Sequence, residues 1–109
     1  MSYAVLLTAG AERDLEAIYD YIADTDGEAS AERVPQRLLE LTERLAELPE
    51  RGAYPRELLA LGIREYRQVL FKPFRVIYRV SGKRVIITLI ADGRREMQAL
   101  LARRLLGSE

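Results

Sequence analysis

Arginine is the residue type in this chain best equipped to do chemistry. Of 17 basic side chains among 109 residues, 15 are arginine, and the sequence holds no histidine and no cysteine. Each guanidinium is a planar fork of donors that stays charged at physiological pH and fits phosphate or carboxylate oxygens in pairs. Arg64, Arg67, Arg75, Arg79, Arg94 and Arg95 all fall within one stretch of the second half. The missing imidazole and thiol remove thiolate nucleophiles, Ser-His-Asp triads and zinc-finger ligands at once. Acid or base work would fall to carboxylates, tyrosine, lysine or water. Anion recognition is therefore the first chemistry to consider, with a nucleic acid or an acidic partner as ligand.

Two other residue types add less. Tyr54, Tyr66 and Tyr78 could stack bases or donate protons beside an arginine patch, or serve as amphipathic side chains at the edge of a core. Asp14, Glu16 and Asp20 do not share one helical face opposite a pocket. Asp24-Thr25-Asp26-Gly27 lacks the later ligands of a calcium loop. The chain carries no glycine-rich phosphate loop and no nucleophile elbow, so neither a metal nor a cofactor is expected.

The elements that must position these side chains follow from periodicity. Tyr3 to Thr8 is a short apolar run that reads as a strand. Ala11, Leu15, Ile18 and Ile22 then recur at helical spacing over 9–24, with Thr8 as the N-cap and carboxylates in the first turns, where the helix dipole favours them. A second helix over 28–48 follows from Ala31, Val34, Leu38, Leu41, Leu45 and Leu48, stopped by Pro49, with irregularity expected near 31–35 because Pro35 lacks a donor. Residues 53–62 read as a loop around Leu58-Leu59. Three strands are predicted at Ile63 to Phe71, Phe74 to Val80 and Lys83 to Ala91, joined by tight turns at Lys72-Pro73 and Ser81-Gly82. In the second of them Phe74, Val76, Tyr78 and Val80 alternate with Arg75, Ile77 and Arg79, which predicts one buried face and one partly wet. The third is apolar on both faces and should be central. A last helix at 94–106 places Met97, Leu100, Leu101 and Leu105 on one side. The order β-α-α-β-β-β-α describes one α+β domain over 1–109, a helix hairpin packed on a small, mostly antiparallel sheet. Arg67 and Arg75, on the first two strands of the final trio, and Arg94, which follows the third, are expected to meet at one patch, which is either an anion site or a solvated face paired with the acidic helices.

Formal charge is zero overall but not by halves. Residues 1–50 carry four basic and twelve acidic side chains, residues 51–109 thirteen basic and five acidic. That split orients a binding surface, or else pairs acidic helices with basic strands. No apolar run reaches the roughly 18 to 20 residues that cross a bilayer, and the N-terminus has no signal-like pattern, so no membrane partner and a cytoplasmic location are expected.

Several segments, in order and spacing, resemble the RelE/ParE toxin superfamily of bacterial type II toxin–antitoxin systems. They are Leu7-Thr8 with Ala11 and Asp14-Leu15, Ile18-Tyr19 with Tyr21-Ile22, Leu48-Pro49 with Gly52, Tyr66-Arg67, the run from Phe74 to Val80, and Asp92-Gly93-Arg94-Arg95 with Leu100-Leu101 and Arg103-Arg104-Leu105. The resemblance implies the same β-α-α-β-β-β-α fold. It also implies one of two activities. In the RelE-like branch, basic strand residues help cut mRNA on the ribosome, and Arg67, Arg75 and Arg94 or Arg95 match such positions. The lysine expected after Arg67 is Val69, however, and the tyrosine expected on the last helix falls at Leu100 or Leu101, so a general acid or base is missing. The ParE-like branch is the better match through Asp92-Gly93-Arg94-Arg95 and the leucine-rich end. It implies a non-enzymatic toxin that inhibits DNA gyrase and is neutralised by a ParD-like antitoxin. Target contacts are then expected at Arg64, Arg67, Arg75, Arg94 and Arg95, with the antitoxin-contacting residues and direct nucleic-acid binding left open. An inactive binding module with the same fold is a third reading.

Overall fold

A computed structural model describes residues 2–106. Strand β1 (Ala4–Leu7) leads into helix α1 (Ala9–Asp26), and α2 (Glu28–Glu43) returns and ends in a short 3-10 turn, Arg44–Ala46. Then come a four-residue helix α3 (Arg56–Leu59), strands β2 (Arg67–Phe71), β3 (Phe74–Ser81) and β4 (Arg84–Asp92), and helix α4 (Met97–Leu106). The sheet order is β1-β4-β3-β2. β1 lies parallel to β4 and the other neighbours are antiparallel.

Local chemistry explains the boundaries. The Thr8 hydroxyl accepts the Ala11 N–H at 3.1 Å, as expected of the N-cap. Gly27, at φ 94°, separates the two helices of the hairpin. Contrary to expectation, α2 runs unbroken through Pro35. Its cost is one missing donor toward Ala31, and the burial of Ala31 and Leu38 against α1 offsets it. Strand β2 begins four residues later than the pattern predicts, and α3 replaces part of the expected loop because Leu58 buries beneath it.

Three layers result. The α1–α2 hairpin covers one face of the sheet, where Leu38, Leu45, Val76, Tyr78, Val85 and Ile87 are fully buried. α3 and α4 cover much of the other, through Leu58, Ile77, Leu89, Met97, Leu100 and Leu101. The predicted wet face of β3 is thus largely covered: Ile77 is fully buried and Arg75 is 9% exposed. Strand β4 serves both layers because it carries a bulge. Tyr78 pairs with Ile87 but Ile77 with Leu89, which leaves Thr88 as one extra residue in β4. Strict alternation would put Val85, Ile87, Leu89 and Ala91 on one face. The bulge reverses the parity, so Val85 and Ile87 face the hairpin and Leu89 and Ala91 face α4.

Candidate functional site

The arginines sort by what holds them. Arg67 opens β2, and its Nη1 donates to the carbonyls of Glu50 at 3.2 Å and Gly52 at 2.9 Å. Its Nη2 reaches the Tyr54 hydroxyl at 3.3 Å, and the guanidinium carbon sits 4.7 Å from the centre of that ring. Arg67 thus pins the 50–54 loop against the edge of the sheet.

Arg75 points the other way. Register pairs Arg67 with Tyr78 and Leu70 with Arg75, so the two arginines lie on opposite faces of the β2–β3 hairpin. Arg75 donates through Nε to Gln68 at 2.8 Å and through both terminal nitrogens to the Glu57 carboxylate at 2.8 and 2.7 Å. These hydrogen bonds hold the Glu57 carboxyl down at about 2, against an opposing push from burial. Gly93 makes room for the guanidinium stem. A Cβ there would stand 2.8 Å from Arg75 Cδ and 3.3 Å from the Pro73 carbonyl, closer than packed atoms tolerate.

Arg94 folds back on its own turn, donating to Asp92 at 2.9 Å from Nε and 2.6 Å from Nη2, with its side chain 80% exposed. The Asp92 carboxyl is lowered chiefly by these hydrogen bonds. Arg95 is exposed beside it. The single patch of Arg67, Arg75 and Arg94 expected from the sequence is therefore not formed. A two-residue alternation places side chains on one face only within a continuous register, and Arg67 and Arg75 stand at odd and even positions of the hairpin pairing. Arg64 does meet Arg67: with Arg79, Glu50, Glu65 and Val80 they line a cavity of about 280 Å³ at the open end of β2 and β3.

Two features escaped the sequence reading. The first is a clasp at the edge of β4. β1 pairs only with residues 84–87, and beyond it Asp14 Oδ2 accepts the Ile90 N–H at 2.9 Å while Arg104 Nη1 donates to the Thr88 carbonyl at 2.9 Å. Arg104 also bridges both Asp14 oxygens at 2.9 Å, which ties α4 to α1. Asp14 lies three residues after Ala11 and four before Ile18, so it sits on the apolar stripe of α1, and a carboxylate on a buried stripe requires a partner. The second is an apolar groove of about 540 Å³ between α1 and the end of β4, with Ala17, Ile18, Tyr21, Phe74 and Ile90 in its walls and Arg94 at its rim.

The tyrosines divide in the same way. Tyr78 is fully buried, donates to the Pro49 carbonyl at 2.8 Å and accepts the Gly52 N–H at 3.0 Å. Burial raises its hydroxyl pKa. Tyr66 packs against the α4 core and Tyr54 holds Arg67. Val69, Leu100 and Leu101 are core residues. Among the described residues no group of histidine, cysteine or carboxylate side chains is placed to hold a metal ion, and no helix is long and apolar enough to cross a membrane.

Comparison with known proteins agrees with this architecture. The chain is 29% identical over 100 residues to Toxin ParE3 of Caulobacter vibrioides, covering 92% of this chain and 96% of that protein. It superposes on a chain of a chromosomal ParDE toxin–antitoxin system from P. aeruginosa with a TM-score of 0.71 and 26% identity, over 84% of this chain and 96% of the other. A chain of the RelBE2 toxin–antitoxin complex from Mycobacterium tuberculosis shares the fold at a TM-score of 0.60 and 19% identity, over 84% and 92% of the two chains. The family model for the ParE toxin of the type II toxin–antitoxin system parDE matches residues 5–97. With most of its sheet, its helix hairpin and the start of α4 inside that match, the chain belongs to the ParE toxin family of type II toxin–antitoxin systems.

Proposed function

We propose that this ParE-family toxin acts by binding DNA gyrase, without performing chemistry on its target, and is neutralised by a ParD-like antitoxin. The observation that carries the first part is the separation of Arg67 from Arg75. A ribonuclease reading needs them in one site with a proton-transfer group. Here they lie on opposite faces of the hairpin, each held by the protein's own oxygens. The positions where the RelE-like pattern would put lysine and tyrosine are buried Val69 and Leu100 or Leu101. Target contacts then fall to the exposed Arg64 and Arg95, with Arg94 closed on Asp92 and with Arg67 and Arg75 supporting the loop and helix around them.

The apolar groove supports the second part. An amphipathic helix presents anchors at i, i+3, i+4 and i+7 that suit a channel between a helix and a strand edge. At its rim Arg94 is paired with Asp92, and the exposed Arg95 beside it favours a partner carboxylate at that end.

One pair of assays tests the proposal. Purified toxin should inhibit supercoiling by gyrase and accumulate cleaved plasmid, while mRNA on stalled ribosomes stays intact. Cleavage of ribosome-bound mRNA with gyrase unaffected would reverse the assignment in favour of the nuclease branch.

A further inference from the structure

We infer that the open end of the sheet, where Arg64, Arg79 and Arg84 stand together, is a docking surface for a phosphodiester backbone. The inference refines the target-binding reading above and rests on it only for the choice of DNA as the first probe. It starts from the sorting of the arginines. Arg75, Arg94 and Arg104 are committed to Glu57, Asp92 and Asp14, and Arg67 to the 50–54 loop. Arg64, Arg79 and Arg84 have no such contact among the described residues.

Register brings two of these three together. Arg79 pairs with Ile86 and Ser81 with Arg84, so Arg79 and Arg84 are diagonal neighbours on one face of adjoining strands, about 7–8 Å apart in such geometry. Like charges so placed repel unless an anion lies between or across them. Arg64 joins Arg79 in the wall of the cavity described above, beside the Arg67 guanidinium already fixed on Tyr54. Arg79 thus links the two, sharing the cavity wall with Arg64 and a sheet face with Arg84. Glu50 and Glu65 share the cavity wall, which disfavours a deeply inserted anion and favours one that lies along the rim.

The charge of the whole molecule points the same way. Residues 9–47, the hairpin layer, carry eleven carboxylates and four arginines. That layer lies on the opposite face of the sheet from Ile77, whose face Arg79 shares. A polyanion is therefore repelled by the hairpin and drawn to the open sheet end. Strand pairing fixes the backbone spacing from which Arg79 and Arg84 project, which suits a stiff, regularly repeating phosphate backbone better than a flexible acidic peptide that must be ordered on binding.

The experiment is fluorescence anisotropy of the full chain with a short labelled DNA duplex and with single-stranded RNA of equal length, each between about 50 and 200 mM salt. Three phosphate contacts on a duplex give a log–log salt slope of roughly −2.7. The Arg79→Ala/Arg84→Ala double variant should lose about tenfold or more in affinity and bring the slope to roughly −0.9. Arg79→Lys/Arg84→Lys keeps both charges and should keep most of the binding, so the inference stays testable even if the alanine variant folds poorly. Arg33→Ala/Arg37→Ala, on the hairpin layer, should leave binding unchanged. RNA binding tighter than duplex binding, with the same dependence on Arg79 and Arg84, would support the site and assign it to RNA. Wild-type and double-alanine protein binding alike would overturn the inference, as would displacement of the duplex by equal charge of polyglutamate. Gyrase inhibition that survives in a folded double-alanine variant would count against this surface alone, whereas duplex binding without gyrase inhibition would count against the proposed target alone.

Discussion

Arg75 and Glu57 show how burial changes the meaning of a charged side chain. The pair is bidentate, with the two side chains 10% and 15% exposed, and it fastens the four residues of α3 to the sheet. Breaking such a pair from one side leaves an uncompensated charge and costs more than the pair itself contributes. Its pH dependence has a definite sign. Glu57 has its folded carboxyl depressed from 4.5 to about 2, so its contribution is present above the unfolded value and is lost as pH falls through the folded one. Denaturant midpoints measured at intervals from pH 5 to pH 2 should fall more steeply for the wild type than for Glu57→Gln. The difference should reach on the order of 3 kcal/mol. Parallel curves would mean that the pair contributes nothing that titrates in this range.

At the scale of elements, the clasp between α1, β4 and α4 decides how the sheet ends. β1 is four residues long and β4 nine, so part of the β4 edge lacks a strand, and unpaired edge groups invite association with other chains. Asp14 and Arg104 occupy that edge with side-chain atoms, while the bulge at Thr88 turns a carbonyl toward them. Asp14→Ala should destabilise the fold by about 3 kcal/mol, because it removes the carboxylate that Arg104 bridges and the acceptor of the Ile90 amide. In a double-mutant cycle with Arg104→Ala, the double variant should lose clearly less than the sum of the single losses, by about 1 to 3 kcal/mol. Strict additivity in urea denaturation would show that the two side chains act independently.

The whole molecule combines a hairpin layer rich in carboxylates, a mixed sheet and a layer of α3 and α4, with an apolar groove opening between the first two. An antitoxin helix seated there should be sensitive to added bulk and charge in the wall. Ala17 is exposed and lines the groove, so Ala17→Arg should leave the thermal midpoint within a degree or two, since surface substitutions shift stability by about 0.5 kcal/mol or less. The same change should weaken co-purification with a co-expressed ParD-like antitoxin by tenfold or more, about 1.4 kcal/mol. Undiminished neutralisation of the variant in cells would move the antitoxin to another face.

Much of this architecture was legible in the sequence because local periodicity reports which side of an element is buried. The stripe of Ala11, Leu15, Ile18 and Ile22 specified α1 and Thr8 where it begins, while the repeats from Ala31 to Leu48 specified α2 but overran its end at Glu43, where a 3-10 turn takes over and leaves Leu48 exposed. The doubly apolar run of β4 likewise specified a central strand. Periodicity says nothing about which elements lie across a face, and that is where the site was decided. Arg75 reads as a wet residue until α3 brings Glu57 over it, and Arg67 and Arg75 read as neighbours until register sends them to opposite faces. Thr88 shifts the parity of β4 by a bulge that leaves no mark in composition. Whether an arginine is a binding group or an internal strut depends on the carboxylate or carbonyl it meets, and those partners come from residues as far away as Asp14 is from Arg104. Local sequence determined the elements because the spacing of apolar residues already states which face of a helix or strand will be buried. Apart from Arg94 on its own turn, tertiary structure decided the free and the committed charges, because the pairings of Arg67, Arg75 and Arg104 are made only when the layers close.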